Sequence, residues 1–301
     1  METATEFNDN QIENNLDTET QVQTEPSHES TLYAEPIVHV GNFAITNALL
    51  TSWIAVFLII IISIFLRRKI REIPKGIQNF FEIIVSGALS LCDQITNDRK
   101  ITNRIFPLAI SVFFFVLINN WLGILPFGGF GIVEHGSEGL MFIPLIRSGT
   151  ADLNTTLALA VITVIGSNLF GAIFIGIWKM FNKYINLVSI GQIFTKIRKD
   201  PTVLVVAPIN AFVGLLEFIG EIAKVASLSF RLYGNVFAGE VLLLSMSALL
   251  AYILPIPFLF LEIFVGLIQA FIFSVLLVVY FTIAAQDHTE HEHEEKHAHA
   301  V

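Results

Sequence analysis

Arg231 stands in the run Ser227-Leu228-Ser229-Phe230-Arg231-Leu232-Tyr233-Gly234-Asn235, inside a stretch that is almost continuously apolar from about Thr202 to Ala285. A guanidinium in a bilayer costs at least about 2.5 kcal/mol, and it cannot escape that cost by shedding its proton. A permanent cation in such a place marks a functional site. The same stretch holds Glu217, Glu221, Lys224, Asn235, Glu240, Glu262 and Gln269. At 100° per residue, Glu217, Glu221, Lys224, Arg231 and Asn235 share a sector of roughly 80° on one helix face. Lipid cannot satisfy that stripe, so water or a partner protein must. Carboxylates in an aqueous crevice can pass protons, whereas a fixed cation between them repels protons and blocks through-flow.

The elements that position these groups are membrane spans. The chain has 301 residues, is 54% hydrophobic and only 14% charged, and has a mean hydropathy of +0.69. Apolar runs of this length predict an all-α polytopic membrane protein. A first span runs from about Thr46 to Leu66 and stops at Arg67-Arg68-Lys69-Ile70-Arg71. Residues 76–97 carry apolar groups at helical spacing between polar ones, which predicts an amphipathic helix lying at the interface. A second span follows from about Ile105 to Leu125, then a glycine-rich loop, then a third span from about Leu153 to Trp178. The last two spans are the arms of a long hairpin, interrupted near Leu254-Pro255-Ile256-Pro257. The first arm, about 202–250, would be near 70 Å long as a helix at about 1.5 Å per residue, so it must be steeply tilted, bent or broken, Pro208 being the candidate break.

Charge sets the orientation. Eight Lys and Arg fall in residues 67–104, one (Arg147) in 127–150 and five in 179–199. The positive-inside rule puts the first and third groups in the cytoplasm, so the N-terminus lies outside and the C-terminus inside. The formal net charge of −9 reflects acidic ends: residues 1–66 hold nine Asp and Glu and no Lys or Arg. Residues 1–42 read as a disordered acidic tail, 43–286 as the membrane domain, and 287–301 as a flexible tail rich in His and Glu. That last tail also admits a metal reading, although its His spacing matches no zinc pattern. The single Cys92 excludes an intrachain disulfide and offers no metal cluster. The bases track the membrane edge, which argues against nucleic acid. The run Pro126-Phe127-Gly128-Gly129-Phe130-Gly131 lacks the Gly-Lys-Ser/Thr ending of a nucleotide loop, and no cofactor is expected.

Folding the two arms antiparallel brings Arg231 opposite Gln269 and Glu240 opposite Glu262 under nearly one register. Two carboxylates that close do not both ionise easily, so the register implies a proton shared between Glu240 and Glu262.

The run SLSFRLYGNVFAGE (Ser227–Glu240) resembles the signature of subunit a of F-type ATP synthases. LLEFIGEIAKVASLSFRLYGN upstream, LIQAFIFSVLLVVYFTIA (Leu267–Ala284), NNWLGILP (Asn119–Pro126) and TADLNTTLALA (Thr150–Ala160) are similar to it too, in consistent order over about residues 40–286. The resemblance implies a proton-conducting, non-catalytic stator subunit in a bacterial inner membrane. Its partners would be a ring of c subunits, the peripheral stalk subunit b, the remaining synthase subunits and membrane lipid. Arg231 would face the ring carboxylate, with Gln269 its neighbour. Asn235, Glu240 and Glu262 would line the outer half-channel and Glu217 the inner one, with Asp152 and Asn154 at the outer mouth. Some members carry histidine where this chain has Glu240 or Glu262.

Plainer roles stand beside these. Arg231 could serve only as an ion-pair partner, Lys224 as a structural cation paired with Glu221 or Glu217, Glu221 as that lysine's counter-ion alone, and Asp152 as a helix cap. An independent ion-coupled transporter would use Arg231 to bind an anionic substrate, but it ordinarily shows internal repeats, and none is evident. A non-conducting scaffold would use the charges only for assembly.

Overall fold

The computed structural model describes residues 34–41, 43–68, 76–124, 131–136, 139–176, 203–250 and 253–286. The tail before residue 34, Lys69 and Arg71, the glycine-rich run at 125–130, the bases from Lys179 to Lys199 and the tail from 287 lie outside the described residues.

Two short strands, β1 (Pro36–Val40) and β2 (Phe43–Thr46), pair antiparallel and lead into α1 (Asn47–Arg68). Then come α2 (Ile77–Thr96), α3 (Arg99–Ile124), a second hairpin of β3 (Gly131–Gly136) and β4 (Gly139–Pro144), and a 3₁₀ turn at Gly149–Ala151. The described elements close with α4 (Leu153–Ile175), α5 (Val203–Leu249) and α6 (Pro255–Gln286). Five of these helices, α1, α3, α4, α5 and α6, are long and apolar enough to cross a membrane. This is an all-α polytopic membrane protein carrying two small hairpins. Pro36–Val40 forms a strand within the stretch that composition assigned to the tail, and the second hairpin occupies part of what read as loop between the second and third spans.

Local chemistry explains the element ends. Thr46 Oγ1 accepts from the N–H of Leu49 at 3.3 Å and so caps α1, whose first N–H groups have no intrahelical partner. Asn97 closes α2 in the left-handed region (φ 52°), its N–H returning to the Asp93 carbonyl at 3.0 Å. That two-residue break, Asn97-Asp98, lets α3 begin at Arg99, six residues before the apolar run, with Arg99 paired to Asp93 across the corner. The long arm does not break at Pro208. Because Pro208 lies near the helix start, its missing N–H removes one early backbone bond, and α5 runs unbroken for 47 residues. Nor do the later prolines form the turn between arms: Pro255 opens α6, where its fixed φ suits the first helical position and its missing N–H is no loss.

The core lies along α6. Ile105, Ala109, Val112 and Val116 recur on one face of α3 and pack on Ala270, Phe273, Leu277 and Phe281 of α6. α4 sits between α5 and α6, contributing Ala160 and Val164 against Leu228 and Leu232 of α5. Association between helices in lipid depends on close packing, for which small residues are needed. Gly171 supplies it: a Cβ there would lie 2.6 Å from the Ala284 carbonyl oxygen, so α4 and α6 touch backbone to backbone.

Candidate functional site: a polar track across the helix hairpin

Three groups of polar side chains lie along α5. The first is at the end near Glu240. Arg147, 7% exposed, donates from Nε to both carboxylate oxygens of Glu240 at 3.1 Å and from Nη2 to Oε2 at 2.9 Å. Charge-assisted bonds of this kind, made by a rigid fork, are the strongest available to a carboxylate. The turn behind Arg147 is tied down as well. Ser148 Oγ donates to the Asn119 carbonyl at 3.2 Å, and Thr150 Oγ1 donates to Asn120 Oδ1 at 2.6 Å. Gly149 packs closely there: a Cβ would displace Ser52 Oγ and Asn119 Oδ1 and press on the Ala48 carbonyl. Asn120 Nδ2 donates on to the Gly266 carbonyl at 3.1 Å, and Trp121 Nε1 to that of Ile263 at 3.2 Å. The Asn119-Asn120-Trp121 segment of α3 thus fixes both the Arg147 turn and the start of α6.

Asp152 stands at the N-terminus of α4 and accepts from the Asn154 N–H at 3.1 Å and from Asn154 Nδ2 at 3.3 Å. It caps the helix while its 7% exposure keeps it within the polar cluster. Arg147, Glu240 and Asp152 all lie within electrostatic range of Tyr233. Glu262 reaches the same level from α6, half-buried, its carboxylate against Gly239; a Cβ on Gly239 would collide with it. The sequence register set Glu240 against Glu262 as a direct pair. The two do meet at one level, within electrostatic range of each other, with Glu262 in the notch left by the preceding glycine, while the hydrogen-bond partner of Glu240 is Arg147.

The second group is midway along α5. Asn235 Nδ2 donates to Gln269 Oε1 at 2.9 Å, while Gln269 Nε2 is buried without a hydrogen-bond partner. The amide opposite Gln269 is therefore one turn beyond Arg231. Arg231 is exposed, and its Nη2 donates to Ser227 Oγ on its own helix at 3.4 Å. Ser227, Gly234, Asn235 and Ala238, also exposed, surround it with short side chains, while Leu228, Leu232 and Val236 on the other face are buried. Thr156 and Ser229 join α4 to α5 through their hydroxyls at 3.2 Å.

The third group lies toward the start of α5. Lys224 Nζ donates to Glu221 Oε1 at 2.7 Å and sits 5.4 Å from the Tyr280 ring centroid, and Asn168 Nδ2 donates to Glu221 Oε2 at 3.1 Å. Lys224 and Glu221 are counter-ions, as the plainer reading had it. Glu217 is half-buried one turn earlier. The polar stripe therefore divides: Glu221 and Lys224 face protein, whereas Arg231 and Asn235 face outward. Among the described residues no cluster of His, Cys, Asp or Glu could hold a metal ion.

Arg147 is the site residue that sequence reasoning passed over. As the single base of its loop it served to orient the chain, and nothing local links it to a carboxylate 93 positions on.

The family model described as ATP synthase A chain matches residues 49–282, which span the hairpin, all three polar groups and the Arg147 turn. ATP synthase subunit a of Syntrophobacter fumaroxidans is 33% identical over 255 residues, covering 84% of this chain and 88% of that protein. The subunit a of Mycobacterium bovis is 32% identical over 253 residues (82% and 89%), and that of Gloeobacter violaceus 30% over 245 residues (81% and 86%). With an outward-facing arginine set between acidic groups on a 47-residue membrane helix, and with these relatives along most of its length, the chain belongs to the ATP synthase A chain family, subunit a of the F-type synthase.

Proposed function

We propose that this chain is the proton-conducting stator subunit of a rotary ATP synthase in a bacterial inner membrane, with its N-terminus outside. It makes no bond itself; ATP forms in the soluble sector, and this chain supplies the ion path. The observation that carries the reading is the setting of Arg231: a cation that cannot be neutralised, on an exposed face of short side chains, between acidic groups toward either end of the same helix. A ring of c subunits passing over that face would present its carboxyl to Arg231. The guanidinium keeps that carboxyl ionised while opposite it and bars protons from crossing directly.

Protons would reach the ring through an outer half-channel lined by Glu240, Glu262 and Asn235, with Asp152 and Asn154 at its mouth. They would leave through an inner one past Glu217. Gln269 steadies Asn235 beside the arginine. Subunit b and the other synthase subunits would hold the chain against the torque of the ring, with lipid around the remaining spans.

Replacing Arg231 with Ala in the assembled complex tests the reading. The complex should assemble, because the described contact of Arg231 is a long bond to its own helix. Proton-driven ATP synthesis in proteoliposomes should fall to background. Retained synthesis would point to a scaffold, and solute transport by the purified chain without a ring would point to a transporter.

A further inference from the structure

We propose that Arg147 is a positioning residue of the outer half-channel: it fixes Glu240 as a stationary anion and leaves Glu262, seated on Gly239, as the carboxyl that exchanges protons. This deepens the stator reading and rests on it.

The two glutamates reach one level of the helix pair from opposite arms, but they are held very differently. Both oxygens of Glu240 are engaged by a guanidinium that is itself 7% exposed. To take up a proton, Glu240 would have to give up charge-assisted bonds and strand a buried cation, an expensive state for any protein interior. To hand a proton on, it would also have to turn, and its partner arrives on a turn anchored by Ser148 and Thr150 to α3. Fixed on both sides, Glu240 acts as a charge in the wall.

Glu262 differs on each count. It is half-buried, and no hydrogen bond or ion pair among the described residues holds its carboxyl. The missing side chain of Gly239 provides its space. Among the described residues, the charged and titratable groups in electrostatic contact at this level are Arg147 from the turn before α4, Asp152 from the N-terminus of α4, and Tyr233 and Glu240 from α5. Of these, Arg147 grips both oxygens of Glu240, and Asp152 accepts from the backbone and side chain of Asn154. A carboxyl able to change protonation and rotamer without breaking an ion pair is the one suited to relay.

The test uses the whole synthase with Arg147→Gln, Glu240→Gln, Glu262→Gln and the double variant Arg147→Gln/Glu240→Gln. Infrared difference spectra across a pH step, with proton-driven synthesis in proteoliposomes, supply the readouts. Glu262→Gln should remove a carboxyl C=O stretching signal that Glu240→Gln leaves in place. Each single change at 147 or 240 strands a buried charge, so the double variant should run at least about tenfold faster than Arg147→Gln alone, as expected of strongly coupled neighbours. Arg147→Lys, which keeps the cation without the fork, should recover part of the Arg147→Gln loss and rule out a purely steric bracket.

Loss of the carboxyl signal in Glu240→Gln would overturn the proposal, as would a double variant no faster than Arg147→Gln. Should Arg147→Gln not assemble, the comparison of Glu240→Gln with Glu262→Gln decides by itself. The spectral assignment does not depend on Arg231, so a failure of the stator reading in Arg231→Ala would be seen separately.

Discussion

Asn235 of α5 and Gln269 of α6 meet amide to amide, Nδ2 to Oε1, at 2.9 Å, one helical turn from Arg231. The bond joins an exposed residue to one that is 3% exposed. Neither amide can take or lose a proton near neutral pH, so together they fix the distance between the arms beside the arginine without adding charge to it.

An asymmetry follows, because Gln269 already buries an Nε2 without a partner. Gln269→Leu removes that unpaired group along with the bond, and Asn235, on an exposed face, can turn back to a backbone carbonyl of its own helix. The substitution should change stability by less than about 1 kcal/mol. Asn235→Ala leaves both ends of a buried amide unsatisfied and should cost about 1–3 kcal/mol. Thermal unfolding of the full chain in lipid nanodiscs should therefore rank the exposed position as the more damaging. The reverse order would mean that the bond does not govern the pair.

Gly239 and Gly234 make a second contrast, on one helix. Replacing a helical glycine by alanine ordinarily gains up to about 1 kcal/mol. Gly234→Ala should show that gain, since nothing lies within 4 Å of its would-be Cβ. At Gly239 the Cβ runs into the Glu262 carboxylate, so the gain should be lost; because that carboxylate is the far end of a flexible side chain that can swing aside, the net change should stay within about 1 kcal/mol of the parent chain. Glu262→Ala in the Gly239→Ala background should recover most of that gain. The same nanodisc unfolding measurement reads all four variants, and no recovery would place the Gly239 strain elsewhere.

These contacts show where sequence reading succeeds and where it stops. Spans are legible because hydropathy is a local property: the five long apolar helices and α2 lie where the apolar runs and helical periodicity put them. Helix ends are less so, because backbone hydrogen bonding continues past the apolar run; α3 takes in Arg99, Lys100 and Arg104 before Ile105. The register of the hairpin was right to about a turn. What shifted it is a matter of faces: Leu232, Val236 and Gly239 of α5 are turned inward, and Arg231 is turned away. The bond from Arg147 to Glu240 had no local signature at all. A lone arginine in a loop reads as an orientation marker until the fold brings a carboxylate to it.

Cys92, on α2, offers a check on how that helix sits against the spans. Its side chain is buried and lines a cavity of about 210 Å³, whose apolar lining includes Ile84, Leu91, Phe106, Phe113, Phe271 and Val278 from α2, α3 and α6. Burial pushes the thiol above its ordinary value of 9.0, and the Asp93 carboxylate beside it pushes the same way. The reactive form is the thiolate, so a raised thiol is mostly protonated and slow at pH 7.5. Since Cys92 is the only cysteine of the 301 residues, labelling reports on it alone. A charged thiosulfonate should label the native chain at least about tenfold more slowly than the denatured one, with the rate rising only as the solution passes pH 9. Asp93→Asn should speed labelling, because it removes the negative charge that disfavours the thiolate and frees Arg99 from its pair. An uncharged maleimide, which can enter an apolar cavity, should gain on the charged reagent. Equal rates for native and denatured chains would show that α2 does not pack on α3 and α6 through this face.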